Sequence, residues 1–182
     1  MNILVLKSSG NKNGSSNMLA DEFTRGAREN GHNVVAYDIF RADIRPCLGC
    51  GRCGMNGPCV QKDDYENTVK DLIKGCDMLV FAMPVYYYNW PSKLKTVIDR
   101  FYSYTAELTS MKKKTALISA AWDDSDMVFA VVEAYYRQLC TYMNFQDQGT
   151  VLGRGCGTPD LTSKSRYIKD AYKLGRSILS AK

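Results

Sequence analysis

The alternation of short apolar runs with segments of helical periodicity constrains this chain most. Ile3, Leu4, Val5 and Leu6 are an uninterrupted apolar run, the pattern of a strand buried on both faces of a parallel sheet. Further strand patterns occupy residues 32–40, 78–83, 115–121 and 149–152. Between them Met18, Leu19, Phe23 and Ala27 recur at helical spacing as far as Gly31. Asp63 or Asp64 is placed to cap a helix carrying Val69, Leu72 and Ile73 and closed by Gly75. Leu94, Val97, Ile98 and Phe101 mark another helix, and residues 125–143 and 163–179 read as two more. Five strands separated by helices, without repeat or linker, predict an α/β fold: a doubly wound five-stranded parallel sheet in a three-layer α/β/α domain spanning residues 1–182. Residues 41–62 are irregular and form a cysteine-rich loop.

In such sheets ligands bind beyond the carboxyl ends of the strands, where strand order reverses. The loop after the first strand contains Ser9, Asn11, Lys12, Gly14, Ser15, Ser16 and Asn17. It brings hydroxyls, amides and backbone N–H groups to a helix N-terminus, where unpaired donors attract phosphate. It matches neither the Walker nor the G-x-G-x-x-G pattern. The same residues also suit an ordinary polar loop with Ser16 or Asn17 as helix cap. After the third strand, Pro84-Val85-Tyr86-Tyr87-Tyr88-Asn89-Trp90-Pro91 sets four aromatic rings in five positions. Rings of this kind pack in cores and subunit contacts as well as against flat ligands. Beside a phosphate loop they point to a nucleotide, and flavin mononucleotide (FMN) has the flat ring and single phosphate to use both loops.

Of the seven cysteines, Cys47, Cys50, Cys53 and Cys59 form C-x2-C-x2-C-x5-C, interleaved with Gly49, Gly51, Gly54 and Gly57. An odd total argues against a complete disulfide framework. Short spacers let one loop wrap a cubane iron–sulfur cluster, whereas structural zinc usually takes two C-x2-C pairs further apart. A glycine-rich lid with free thiols is the third reading, and spacing leaves all three open. Cys76, Cys140 and Cys156 stand in apolar or isolated contexts and read as packing residues.

Composition excludes several classes. Charged residues make up 24% and apolar ones 45%, and the net charge of +5 is scattered apart from Lys112, Lys113 and Lys114, a solvated loop end rather than a nucleic-acid surface. No stretch has the roughly eighteen apolar residues of a membrane span. The chain opens on a strand without a basic, apolar leader, so a cytoplasmic location is expected. The one histidine, His32, lies away from the ligand edge, which removes a Ser-His or Cys-His pair. Asp123, Asp124 and Asp126 read as a solvated helix cap.

Residues 84–101, PVYYYNWPSKLKTVIDRF, resemble the flavin-ring loop and following helix of the flavodoxin-like NAD(P)H-dependent FMN reductases. Ser9, Gly14, Ser15, Ser16 and Leu19 match that family's phosphate loop, and the cysteine spacing resembles its iron–sulfur flavoprotein branch. The resemblance covers nearly the whole chain and implies a flavodoxin-like fold. It implies FMN with its phosphate on Ser9, Asn11, Ser15 and Ser16, in a loop completed by Lys12, Gly14 and Asn17. Pro84, Val85, Tyr86, Tyr87, Tyr88 and Asn89 would surround the isoalloxazine, with Ala121, Trp122 and Asp123 near its edge. Cys47, Cys50, Cys53 and Cys59 would be the ligands of a [4Fe–4S] cluster if one is carried. Asn11 stands where many members have Arg, with Lys12 as the nearby substitute, and Tyr88 where many have Gly. The activity implied is hydride transfer from NAD(P)H to FMN, then electron transfer to a quinone, a flavin or another acceptor. The flavin does the chemistry, so no catalytic side chain is required. Expected partners are small-molecule donors and acceptors, a redox protein as a further candidate, and a second copy of the chain. The rival functions are a one-electron carrier of flavodoxin type, against which the +5 charge weighs, and a zinc-stabilised binding module.

Overall fold

A computed structural model describes residues 1–179, so the last residues of the expected domain, 180–182, lie outside the described residues. Strands β1 (Asn2–Lys7), β2 (Asn33–Asp38), β3 (Met78–Pro84), β4 (Lys114–Ala120) and β5 (Gln146–Gly153) form one sheet, parallel throughout, in the order β2-β1-β3-β4-β5. That is the doubly wound order of the flavodoxin-like fold. The helices are α1 (Ser15–Glu29), α2 (Lys70–Gly75), α3 (Ser92–Arg100), α4 (Thr105–Ser110), α5 (Met127–Met143), α6 (Pro159–Lys164) and α7 (Tyr167–Ser177).

Side chains alternate along a strand, so each central strand feeds two cores. Ile3, Val5, Met78, Val80, Ile118 and Val151 pack with Leu19, Phe23 and Ala27 of α1 and Ala171 of α7. Leu4, Leu6, Leu79, Phe81 and Leu117 face the other way, against Ile73 of α2, Val97 of α3, Leu108 of α4 and Phe129 and Tyr136 of α5. Helices α1 and α7 meet through glycines. A Cβ on Gly26 would lie 2.2 Å from the Tyr172 carbonyl oxygen, and one on Gly175 would lie 2.2 Å from that of Phe23. This close approach seats α1, and with it the loop that precedes α1.

Several boundaries differ from the sequence reading. β5 begins at Gln146 rather than at 149, beyond a register shift opposite Thr115 and Leu117. The helix expected over 163–179 is divided: Thr158 caps α6 by accepting the Leu161 N–H at 3.2 Å, Ser165 is extended, and α7 starts afresh. A wide π turn over Tyr65–Val69 precedes α2, and a 3-10 turn over Phe101–Tyr104 joins α3 to α4. His32 is buried with Nε2 2.8 Å from the Ile178 carbonyl oxygen, a structural position far from the ligand edge. No helix among the described residues is long and apolar enough to cross a membrane. Since β1 leads to β2 on one side while β3 leads to β4 on the other, the loops leaving β1 and β3 diverge and open a crevice.

Candidate functional site

The crevice is a cleft of about 380 Å³, a volume typical of small-molecule sites. Ser9, Asn11, Gly14, Ser15 and Ser16 form its first wall. Ser8 ties this loop to β3, its N–H and its Oγ each donating to the Ala82 carbonyl at 3.0 Å. Asn17 closes the loop from within: its Nδ2 donates to the carbonyls of Asn11 at 3.0 Å and Lys12 at 3.2 Å. Neither Ser16 nor Asn17 caps α1. The N-cap is Gly14, which has no side chain to offer, so the first-turn N–H groups are left for another partner. Beside them the Ser15 and Ser16 hydroxyls and the Asn17 Oδ1 are buried without a hydrogen-bond partner. A helix N-terminus with two spare hydroxyl donors is able to receive an anion. Among the described residues no charged side chain lines the cleft, and Lys12 is exposed outside it.

The second wall is Pro84, Val85 and Tyr86. Tyr86 and Asn89 exchange backbone hydrogen bonds at 3.1 and 3.0 Å, closing a two-residue turn with Tyr87 at φ 48° and Tyr88 at φ 61°. Both residues are left-handed, as a type I′ turn requires, although Asn-Gly is its usual sequence. Tyr87 is fully exposed, and Tyr87, Tyr88 and Asn89 form the rim rather than the lining. Trp90 turns inward: its Nε1 donates to the Val132 carbonyl at 3.1 Å, and its ring meets Phe81 and Tyr135 edge-on at 5.4 and 5.0 Å. It anchors the aromatic loop to the core and does not face the cleft.

The third wall joins Ala121 and Trp122 to Cys156 and Gly157. A Cβ on Gly157 would lie 2.0 Å from Trp122 Cε3, so the glycine admits the indole. Trp122 remains 73% exposed at the mouth. The Ala121 N–H is already bound to the Gly153 carbonyl at 3.0 Å, so Ala121 offers surface rather than a donor. Asp123 does not line the cleft. Its Oδ1 accepts the Ser125 N–H at 2.8 Å, which holds the carboxyl below its usual range. Asp126 is bound to Arg154 at 2.9 Å. Cys156 and Gly157 carry no site signal in the sequence, although the loop after β5 ends at the same sheet edge as the loops after β1, β3 and β4.

The four clustered cysteines line a separate small pocket together with Arg100, Tyr102 and Ser103. Cys47 and Cys50 are exposed, Cys53 and Cys59 half-buried, and all seven cysteines of the chain are free thiols. Gly49, Gly51, Gly54 and Gly57 have φ of 63°, 68°, 55° and 63°, so the loop reverses repeatedly around the sulfurs. The Gly49 N–H lies 3.5 Å from Cys47 Sγ as its donor. Turned backbone of this kind gathers N–H groups into anion-binding concavities. Among the described residues no three His, Cys, Asp or Glu side chains are gathered closely enough to hold a single metal ion.

Beneath this loop is a buried ion pair. Arg100 Nη1 donates to Asp63 Oδ2 at 2.7 Å and Nη2 to Asp63 Oδ1 at 3.2 Å, with side chains 1% and 0% exposed. The pair also holds the loop's entry: Asp63 Oδ2 accepts the Arg45 N–H at 3.0 Å, and Arg100 Nη1 donates to the Arg45 carbonyl at 2.9 Å. Asp63 Oδ1 accepts the Glu66 N–H at 3.3 Å as well. Burial alone would raise the Asp63 carboxyl, but the guanidinium and these N–H donors outweigh it and hold the group below its usual range.

The family model described as the flavodoxin-like fold matches residues 1–173. The chain belongs to that family. An iron–sulfur flavoprotein of Archaeoglobus fulgidus is 34% identical over 104 residues, 57% of this chain and 47% of that protein, so the chain spans about half the length of such curated relatives. A provisionally named NAD(P)H-dependent FMN-containing oxidoreductase of Bacillus subtilis, YwqN, is 22% identical over 96% of both chains. Among solved structures, the NAD(P)H:quinone oxidoreductase from Methanothermobacter marburgensis superposes with a TM-score of 0.75 at 17% identity, over 97% of this chain and 94% of that one. At that identity the likeness is one of fold.

Proposed function

We propose that this chain is an FMN-dependent oxidoreductase that takes hydride from NAD(P)H and delivers electrons to a quinone, a flavin or another acceptor, with a [4Fe–4S] cluster on Cys47, Cys50, Cys53 and Cys59. The observation that carries the proposal is the uncapped N-terminus of α1, with its two buried, partnerless serine hydroxyls, inside a cleft flanked by Tyr86 and Trp122. Bound FMN would supply hydride acceptance and its onward release as electrons, and a cluster would supply single-electron transfer.

The chain's own residues bind and orient. Ser9, Asn11, Ser15 and Ser16 hold the phosphate with neutral donors, and Gly14 keeps the helix end open to it. Asn17 preserves the shape of the loop, while Lys12 contributes charge at longer range. Pro84, Val85 and Tyr86 flank the ring, and Tyr87, Tyr88 and Asn89 form a rim that shields it from water. Ala121 and Trp122 bound its far edge, with Asp123 fixing the turn that follows them. For the cysteine loop, four thiols on one pocket, with the Gly49 N–H turned toward the Cys47 sulfur, are a donor set suited to a cluster. The names of the relatives are consistent with both groups.

The test is FMN, iron, acid-labile sulfide and zinc content of the full chain purified without oxygen, followed by NAD(P)H oxidation with a quinone acceptor. About one FMN with about four irons and four sulfides per chain, and turnover, is the expected result. Flavin without iron would remove the cluster, zinc without flavin would favour a binding module, and bound FMN without NAD(P)H oxidation would favour a one-electron carrier.

A further inference from the structure

We infer that Arg100 is the charge partner of the four-cysteine centre: its Nε–H donates to a cysteine sulfur of the loaded centre, and its charge favours the more negative, reduced state. The inference rests on the proposed reading that these cysteines hold a thiolate-ligated centre.

Arg100 lines the same pocket as the four cysteines and is almost wholly buried. Both of its terminal nitrogens are engaged, Nη1 with Asp63 and the Arg45 carbonyl and Nη2 with Asp63. Its Nε is buried and has no hydrogen-bond partner. A buried guanidinium donor left unpaired is unfavourable, and the acceptors this pocket offers in quantity are sulfurs. The guanidinium plane is held from two directions. Asp63 takes its outer edge, and the Tyr65 ring lies under it, with the guanidinium carbon 4.7 Å from the ring centroid. The other cations nearby are exposed. Arg45 is 54% exposed and reaches Asp63 only at 3.9 Å, and the exposed Lys62 donates to the Cys59 carbonyl at 3.3 Å. Solvent screens both far more than it screens Arg100.

A tetrathiolate cluster is anionic, and one-electron reduction adds one negative charge without making or breaking a bond. The electron comes from the reduced flavin in the proposed reaction, or from the chemical reductant in a titration. An N–H donor and a buried cation both stabilise the added charge, and so raise the reduction potential. Asp63 offsets part of the charge, but it binds the two terminal nitrogens and leaves the Nε–H free.

The experiment is a mediated potentiometric titration, read by electron paramagnetic resonance, of the full chain reconstituted with iron and sulfide. It compares the native protein with Arg100→Lys, which keeps the charge but loses Nε, and with the double variant Asp63→Asn/Arg100→Gln, which removes both buried charges together. The double variant is expected to shift the one-electron equilibrium at least tenfold toward the oxidised state, a potential lower by about 59 mV. Arg100→Lys is expected to move the same way by less. A purely structural role would change the melting temperature and leave the potential of loaded protein where it was, and that result overturns the inference. Cadmium binding, followed by thiolate-to-metal absorption, separates this inference from the cluster reading. If the native chain takes no iron but binds cadmium at least tenfold more tightly than the variants, the cluster is lost and the role of Arg100 stands. If the cluster loads and its potential ignores Arg100, the role of Arg100 is lost and the cluster stands. If neither metal binds the native chain, both fail.

Discussion

On the proposed function, the cleft and the cysteine loop would hold an anionic group in opposite ways. The cleft offers neutral donors at the end of a helix whose position is set by the sheet and by the glycine contact between α1 and α7. The cysteine loop has no strand or helix of its own between β2 and the π turn, and it hangs on a buried ion pair that reaches in from α3. A site at the ends of regular elements inherits its geometry from their packing, so its side chains can change without loss of the fold. A loop without a ladder depends on a few side chains, and those cannot change cheaply.

The largest expected effect is therefore at the ion pair. Asp63→Ala strands a buried guanidinium and should destabilise the fold by about 3–5 kcal/mol in urea unfolding, with protease cleavage appearing first within residues 41–62. The pH dependence has a definite sign. The folded Asp63 carboxyl lies below its ordinary value of 3.8, so its contribution is complete above that value and is lost as pH falls through the lower folded pKa. Melting curves between about pH 5 and 2 should show this loss, and Asp63→Asn should flatten it.

In the cleft the same kind of deletion should affect binding rather than stability. Ser16→Ala removes a proposed donor to the FMN phosphate, worth about 1.5–3 kcal/mol, or roughly 10- to 150-fold in FMN affinity by fluorescence titration. The ligand-free melting temperature should stay level or rise, because the hydroxyl removed is buried without a partner. A large drop would mean that the hydroxyl serves the fold and would erase the contrast between the two regions. Gly175→Ala probes the scaffold behind the cleft. Its new Cβ would meet the Phe23 carbonyl oxygen, which should destabilise by about 1–3 kcal/mol. The smallest effect is at the rim, where Tyr88→Gly relieves a left-handed tyrosine at φ 61° and should stabilise by about 0.5–1 kcal/mol after the entropy of glycine is counted.

The strands, the central helices and the first two walls of the cleft were legible in the sequence because apolar periodicity and strand-end loops carry them. Elements whose cause is tertiary were hidden. β5 opens with Gln146, Asp147 and Gln148, a polar start at the sheet edge that no apolar pattern marks. Tyr87-Tyr88 does not resemble the Asn-Gly sequence usual for the turn it forms, since its conformation is imposed by the closure of Tyr86 on Asn89 and the anchoring of Trp90. Cys156 read as a packing residue, and it is buried, yet the β5 loop also brings it to the cleft. Arg100 ends a helical pattern as an ordinary last-turn cation, and only the fold brings Asp63 and the cysteine pocket to it.

If the loop after β1 is a phosphate site made of neutral donors, as we propose, FMN owes much of its affinity to its phosphate. The direct measurement is binding of FMN and of riboflavin, which lacks the phosphate, to the same flavin-free full chain by fluorescence quenching. FMN is expected to bind roughly a hundredfold more tightly, by about 2.8 kcal/mol. Equal affinities would contradict it.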